Sequence, residues 1–227
     1  MRSDFPLKEK YGFHDLVQIM RVLRGPGGCP WDAQQTHASI RKNFIEETYE
    51  AIEAIDAADP VLLQEELGDV LLQVIYHAAM EEEQGSFSID DVCDGVCKKL
   101  VTRHPHIFGD IKADTAEEVL SNWEEIKQRE KGQKTATETL ESVPKVFPAL
   151  MRAEKIQKRA SRAGMDYDSL NDAFRDLRSE VDELEDAVKS GTVQEKTLEL
   201  GDLLFSAVNI SRFIGVDAEE ALGLSCE

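Results

Sequence analysis

Along most of this chain apolar residues return every three or four positions, the spacing of one face of an α-helix. The pattern predicts helices over 13–23, 44–55, 61–80 and 89–100, then over 116–126, 147–160, 170–188 and 197–214. No segment alternates apolar and polar with period two, so no strand is predicted and the fold class is all-α. Asp59 before Pro60 reads as an N-cap followed by proline at the first helical position. Ser88 and Thr115 read as further N-caps, with Glu118 placed to complete a capping box. Glycine and proline punctuate 24–30, which reads as a loop. The polar stretch 132–148, with Thr135, Thr137, Thr139, Pro144 and Pro148, reads as a linker between two helical halves.

The polar positions inside the helices carry the stronger signal. Glu46-Glu47-Thr48-Tyr49-Glu50 is followed, after fifteen residues, by Glu66-Leu67-Gly68-Asp69. Glu47, Glu50, Glu66 and Asp69 recur 133 positions later as Glu180, Glu183, Glu199 and Asp202. Acids three apart share one helix face, one turn above the other, so two facing helices bring four carboxylates to one point. Apolar residues surround Glu66 and Asp69, and likewise Glu199 and Asp202, so these acids are expected to be buried. Ionised carboxylates buried without a partner cost several kcal/mol. No lysine or arginine lies within 61–80 to pair with them. A divalent cation is therefore expected, and all-oxygen ligation suits Mg²⁺ or Mn²⁺. The competing reading, a solvated acidic stripe, does not account for the duplicated spacing or the apolar flanks. A di-iron bundle needs Glu-x-x-His on two helices, which the chain lacks. The repeat assigns 1–132 to one helical domain, 133–147 to the linker and 148–227 to a second, similar domain. Its period is far longer than that of a stacked solenoid.

Composition narrows the partners. The 227 residues carry a formal net charge of −19, which argues against affinity for nucleic acid or an anionic membrane surface. It leaves room for a phosphate-bearing substrate if metal ions supply positive charge. The four cysteines, Cys29, Cys93, Cys97 and Cys226, form no Cys-x-x-Cys pair and read as reduced thiols of a cytoplasmic protein. No apolar run is long enough to span a bilayer, and the first six residues begin no signal peptide.

Glu-Glu-x-x-Glu followed by Glu-x-x-Asp resembles the motif of the all-α nucleoside triphosphate pyrophosphohydrolases of MazG type. Gly28-Cys29-Pro30-Trp31-Asp32, Gln35-Thr36-His37, Arg103-His104-Pro105-His106 and Asn122-Trp123-Glu124-Glu125-Ile126-Lys127 extend the resemblance over nearly the whole chain. The resemblance implies Mg²⁺-dependent hydrolysis of a nucleoside triphosphate to the monophosphate and pyrophosphate, and a homodimer or larger assembly. It implies that Glu47, Glu50, Glu66 and Asp69 are metal ligands. Glu46 orients or deprotonates the attacking water, or is one more ligand. Lys99 and Arg103, in a Lys-x-x-x-Arg arrangement, and Lys127 would hold the phosphates, and Trp31 would stack on the base or anchor its loop. Glu180, Glu183, Glu199 and Asp202 form a second ligand set. There, however, Ser179 replaces the leading glutamate, and the chain ends at Glu227, where the family continues into a basic helix. The first half is accordingly expected to be the working site. The alternatives are a non-catalytic nucleotide-binding scaffold, or a pyrophosphohydrolase for one nucleotide such as dUTP or phosphoribosyl-ATP.

Overall fold

A computed structural model describes residues 5–130, 132 and 135–226, without the side chains of 124 and 128. Positions 133 and 134, at the start of the expected linker, and 1–4, part of the leader reading, lie outside the described residues. All regular structure among the described residues is helical, as the periodicity predicts. The chain divides into two compact units, Met1–Lys112 and Ala113–Glu227.

The first unit is built on a hairpin of two long helices. It holds α1 (Phe13–Arg24), α2 (Pro30–Gln34), α3 (His37–Asp56), α4 (Pro60–Glu83), α5 (Ile89–Arg103) and α6 (Pro105–Phe108). Helix α3 pairs along α4, and α1 packs on the far end of α4. Asp59 caps α4 as expected, its carboxylate accepting from the amides of Val61 and Leu62. Ser88 caps α5 through the Asp91 amide. Helix α3 begins seven residues before its apolar period is evident, because Thr36 caps the Ser39 amide.

The core of this unit gathers Val17 and Met20 of α1, Ile40 of α3, Ile75, Tyr76, Ala78, Ala79 and Met80 of α4, and Ile89 of α5. Each large apolar side chain buried there contributes about 1.5–3 kcal/mol. The burial is uneven along α4. Its second half is core, whereas Val61 is 76% and Leu67 53% exposed in its first half. The apolar residues flanking Glu66 thus do not bury this half of the helix, contrary to the expectation from their pattern.

One side chain fastens α2 to this core. The Arg24 side chain is 5% exposed. Its guanidinium donates to both Glu83 carboxylate oxygens and to the main-chain carbonyl oxygens of Asp32 and Gln35. It also lies over the Tyr76 ring, 5.3 Å from the centroid, and the Tyr76 hydroxyl donates to Asp32.

The second unit repeats the hairpin. It holds α7 (Ala116–Glu130), α8 (Ala136–Glu141), α9 (Ala149–Arg162), α10 (Leu170–Ser190), α11 (Val193–Ile214) and α12 (Ala218–Cys226). Helices α10 and α11 start 133 residues after α3 and α4, the same offset as the acids. Helix α9 packs on α11, and Ala153, Ala173 and Val208 are buried.

Two boundaries differ from the sequence reading. The units part at Lys112, so α7 falls in the second unit although it lies within 1–132. The linker 133–147 is partly structured: α8 forms inside it, capped by Thr135 on the Glu138 amide. Arg159 of α9 then donates to the Thr139 carbonyl and the Ser142 hydroxyl, which seats this stretch on the unit. At α7, Thr115 accepts from the Glu118 amide, while Glu118 reaches back to the Asp114 amide rather than that of Thr115.

Arg24→Met keeps the side chain's apolar length and removes its bonds to the Gln35 carbonyl and the Glu83 carboxylate. The expected result is a loss of about 2 kcal/mol, read as a lower urea midpoint with the slope unchanged. An unshifted midpoint would show that Arg24 does not fasten α2.

Candidate functional site

The α3–α4 hairpin does what the spacing requires. Glu47 comes from the middle of α3, and Glu66 and Asp69 come from one face of the first half of α4. One carboxylate oxygen from each lies within 4.8 Å of the other two. Oxygens on opposite sides of one Mg²⁺ stand about 4.2 Å apart, so the set fits a hard divalent cation. All three residues are half-buried rather than buried. The reason is the bare flank of the hairpin, where Ile45, Tyr49, Ile52, Ile55 and Leu67 are exposed.

The electrostatics follow from crowding. The Glu47 carboxyl is held above its ordinary range by burial first, then by the charges of Asp69 and Glu50. Glu66 is raised by burial and then by Glu50. Glu50 therefore belongs to the cluster although it stands outside the trio and is exposed. Glu53, one turn on along α3, also acts on Glu66. It was not singled out from sequence, although it extends the three-residue ladder of Glu47 and Glu50. A cation at this point reverses the sign of the local field and favours the ionised forms.

Other expected residues are distributed differently. Glu46 is exposed and ion-paired to Lys42 at 2.9 Å, so the structure does not bring it into the trio. Trp31, at the start of α2, is 61% exposed. Lys99 and Arg103 lie one turn apart on α5. Lys127 lies on α7 and so in the second unit. His37 meets His77 Nδ1 at 2.6 Å and Glu81 at 2.8 Å. His104 caps α5 and bonds the Leu100 carbonyl, whereas the Nδ1 atom of His106 is buried without a partner.

The second unit repeats the trio. Oxygens of Glu180, Glu199 and Asp202 lie within the same 4.8 Å limit. Burial and then Glu183 and Asp176 raise the Glu180 carboxyl. Ser179, in the place of the leading glutamate, donates to Glu183 at 3.2 Å. Asp176, one turn before Glu180, accepts from the hydroxyls of Tyr167 and Ser206 at 2.6 and 2.7 Å. Burial and then that bond push the Tyr167 hydroxyl up to about 12, so it remains a donor. Nothing in the motif pointed to Tyr167; only its partner's four-residue spacing from Glu180 was legible.

The comparisons with known proteins bear on the same residues. The MazG nucleotide pyrophosphohydrolase domain matches residues 35–108, which contain the first hairpin and its carboxylates. A nucleoside triphosphate pyrophosphohydrolase of Escherichia coli K12 is 44% identical over 210 residues, covering 91% of this chain and 80% of that protein. The nucleoside triphosphate pyrophosphohydrolase/pyrophosphatase MazG of Thermotoga maritima is 46% identical over 210 residues, with 92% and 79% covered. The uncharacterised YabN of Bacillus subtilis is 44% identical over 226 residues, 97% of this chain and 46% of that protein. With its acids gathered at one point and this identity running along nearly its whole length, the chain belongs to the MazG family of nucleotide pyrophosphohydrolases.

Proposed function

We propose that this protein hydrolyses nucleoside triphosphates to the monophosphate and pyrophosphate in a Mg²⁺-dependent reaction that Mn²⁺ also supports. The convergence of Glu47, Glu66 and Asp69 inside the stretch that matches the family carries this reading. The E. coli and T. maritima relatives bear the corresponding names. Bound there, Mg²⁺ neutralises phosphate charge and acidifies a water. Glu47, Glu66 and Asp69 hold the metal, and Glu50 completes the negative shell. Glu46, adjacent to Glu47 and released from Lys42, orients or deprotonates the water. Lys99 and Arg103 bind the triphosphate, Lys127 is a further phosphate contact, and Trp31 offers a face to the base.

The assembly is a homodimer or larger. Ile45, Tyr49, Ile52 and Ile55 form an exposed apolar stripe on α3, and Leu67 adds to it from α4. A stripe of that kind on a folded chain calls for a partner surface. The chain acts in the cytoplasm, in keeping with four free cysteines. The net charge of −19 speaks against nucleic-acid partners. Among the described residues no helix is long and apolar enough to cross a membrane.

With Mg²⁺ and a panel of NTPs and dNTPs, the products are expected to be monophosphate and pyrophosphate, and EDTA is expected to stop their formation. Diphosphate as the main product, or equal rates in EDTA, would overturn the reading. The halves are expected to be unequal: Glu50→Gln lowers kcat by about 10–100-fold, and Glu183→Gln by less. The reverse order would move the working site to the second unit. Light scattering at micromolar concentration is expected to give at least twice the chain mass; an active monomer would refute the assembly.

A further inference from the structure

We infer that Gln73 is a positioning residue of the first unit's cation site. Its amide oxygen accepts a hydrogen bond from a water on the metal that Glu47, Glu66 and Asp69 hold. The inference rests on the pyrophosphohydrolase reading and adds a neutral residue to a site built of acids. Gln73 is the first buried residue along α4, 7% exposed. It follows Asp69 by one turn, about 6 Å along the axis, on the face that carries Glu66 and Asp69. Long side chains of a helix lean toward its N-terminus, over the residue four positions earlier. That lean turns the Gln73 amide toward Asp69 and away from the apolar half of α4. Its Oε1 atom is buried and accepts from no donor.

The second hairpin shows where a side chain at this position reaches. The residue 133 positions on is Ser206 of α11, and its hydroxyl donates to Asp176 of α10 at 2.7 Å. Asp176 is one turn before Glu180, so the reach is to the turn beside the trio. In the first hairpin the residue opposite is Asn43, half-buried and one turn before Glu47. Two neutral amides thus close the core end of the acidic site in the first unit. In the second unit the same place holds a hydroxyl already bonded to a carboxylate.

The chemistry of the donor set gives the amide its part. A hard divalent cation held by three carboxylates has places left for water and phosphate oxygens, and Mg²⁺ keeps several waters. Such a water is a strong donor, because the metal acidifies it. Gln73 offers an acceptor that is fixed by burial and committed to nothing else. An amide oxygen adds no charge to the repulsion among the acids and, unlike a carboxylate, takes no proton at neutral pH. It orients a water without deprotonating it, which leaves that part to a carboxylate. A buried polar atom left unpaired is costly, so the metal-loaded state is where this one is satisfied.

The test reads metal binding rather than turnover. In the full chain carrying Glu180→Gln and Asp202→Asn, which disable the second set, calorimetry measures the affinity for Mn²⁺. Gln73→Leu in that background is expected to weaken Mn²⁺ binding about tenfold or more and to shrink the Mn²⁺-induced rise in melting temperature. Gln73→Glu, which keeps an acceptor at the same reach, is expected to bind Mn²⁺ at least as tightly as the parent. Affinity equal to the parent's in Gln73→Leu overturns the inference, whatever its melting temperature, and assigns Gln73 to packing against Asn43. Loss of affinity in both variants overturns it too, because the amide would then serve only the shape of the hairpin. A parent that binds no Mn²⁺ overturns the inference together with the metal dependence of the proposed function. In the other two failures that reading stands, and pyrophosphate release with Mg²⁺ and with EDTA decides it separately.

Discussion

Like charges held together at the middle of a helical hairpin are the constraint on which this architecture depends. Burial first, and then the neighbouring carboxylates, raise the proton affinity of Glu47 and Glu66. Repulsion of this kind opens a hairpin unless packing elsewhere closes it. The packing is displaced along the helices: Ile75, Tyr76, Ala78, Ala79 and Met80 are buried on the half of α4 beyond the acids. Helix α4 is thus divided into an apolar half that holds the pair together and an acidic half that stays half-buried. The second hairpin repeats this division, with Asp202 before the buried Ser206 and Val208 on α11.

The helical periodicity made the long elements and the acidic faces legible, because both depend on spacing within a helix. Asp59 and Ser88 were legible for the same reason: a cap acts over two or three residues. Burial was less so. Leu67, Leu198 and Leu200 are apolar neighbours of the acids and yet stand exposed. A single chain's apolar pattern does not distinguish a face packed within the chain from one reserved for another surface. The short helices α2, α6, α8 and α12 were missed because one or two turns show no period, and α8 forms from a stretch as polar as any linker. Arg24 was hidden in a glycine- and proline-rich loop, since its partners Glu83 and Gln35 lie far apart in sequence. Glu46 reads as part of the motif, but it points to Lys42 on its own helix.

The two units share one framework and differ in the residues around it. Their hairpins keep the same helix starts and the same acids. The first unit carries an arginine–tyrosine–aspartate knot, and the second has Asp176 bonded by Tyr167 and Ser206. Since the trio is held by spacing along the helices, these neighbours can change without disturbing the carboxylates.

The short connections of these hairpins carry a further consequence. Between Glu47 and Glu66 the chain runs through the end of α3, three connecting residues and the start of α4. An α-helix turns about 100° per residue. One residue inserted or deleted within either helical segment would swing an acid away from its partners, while most of the apolar packing could readjust. Within the helices, therefore, the interval has no slack. Tolerance to changes of length in this protein is confined to the connections, and the same interval in both units records that neither hairpin has been free to drift.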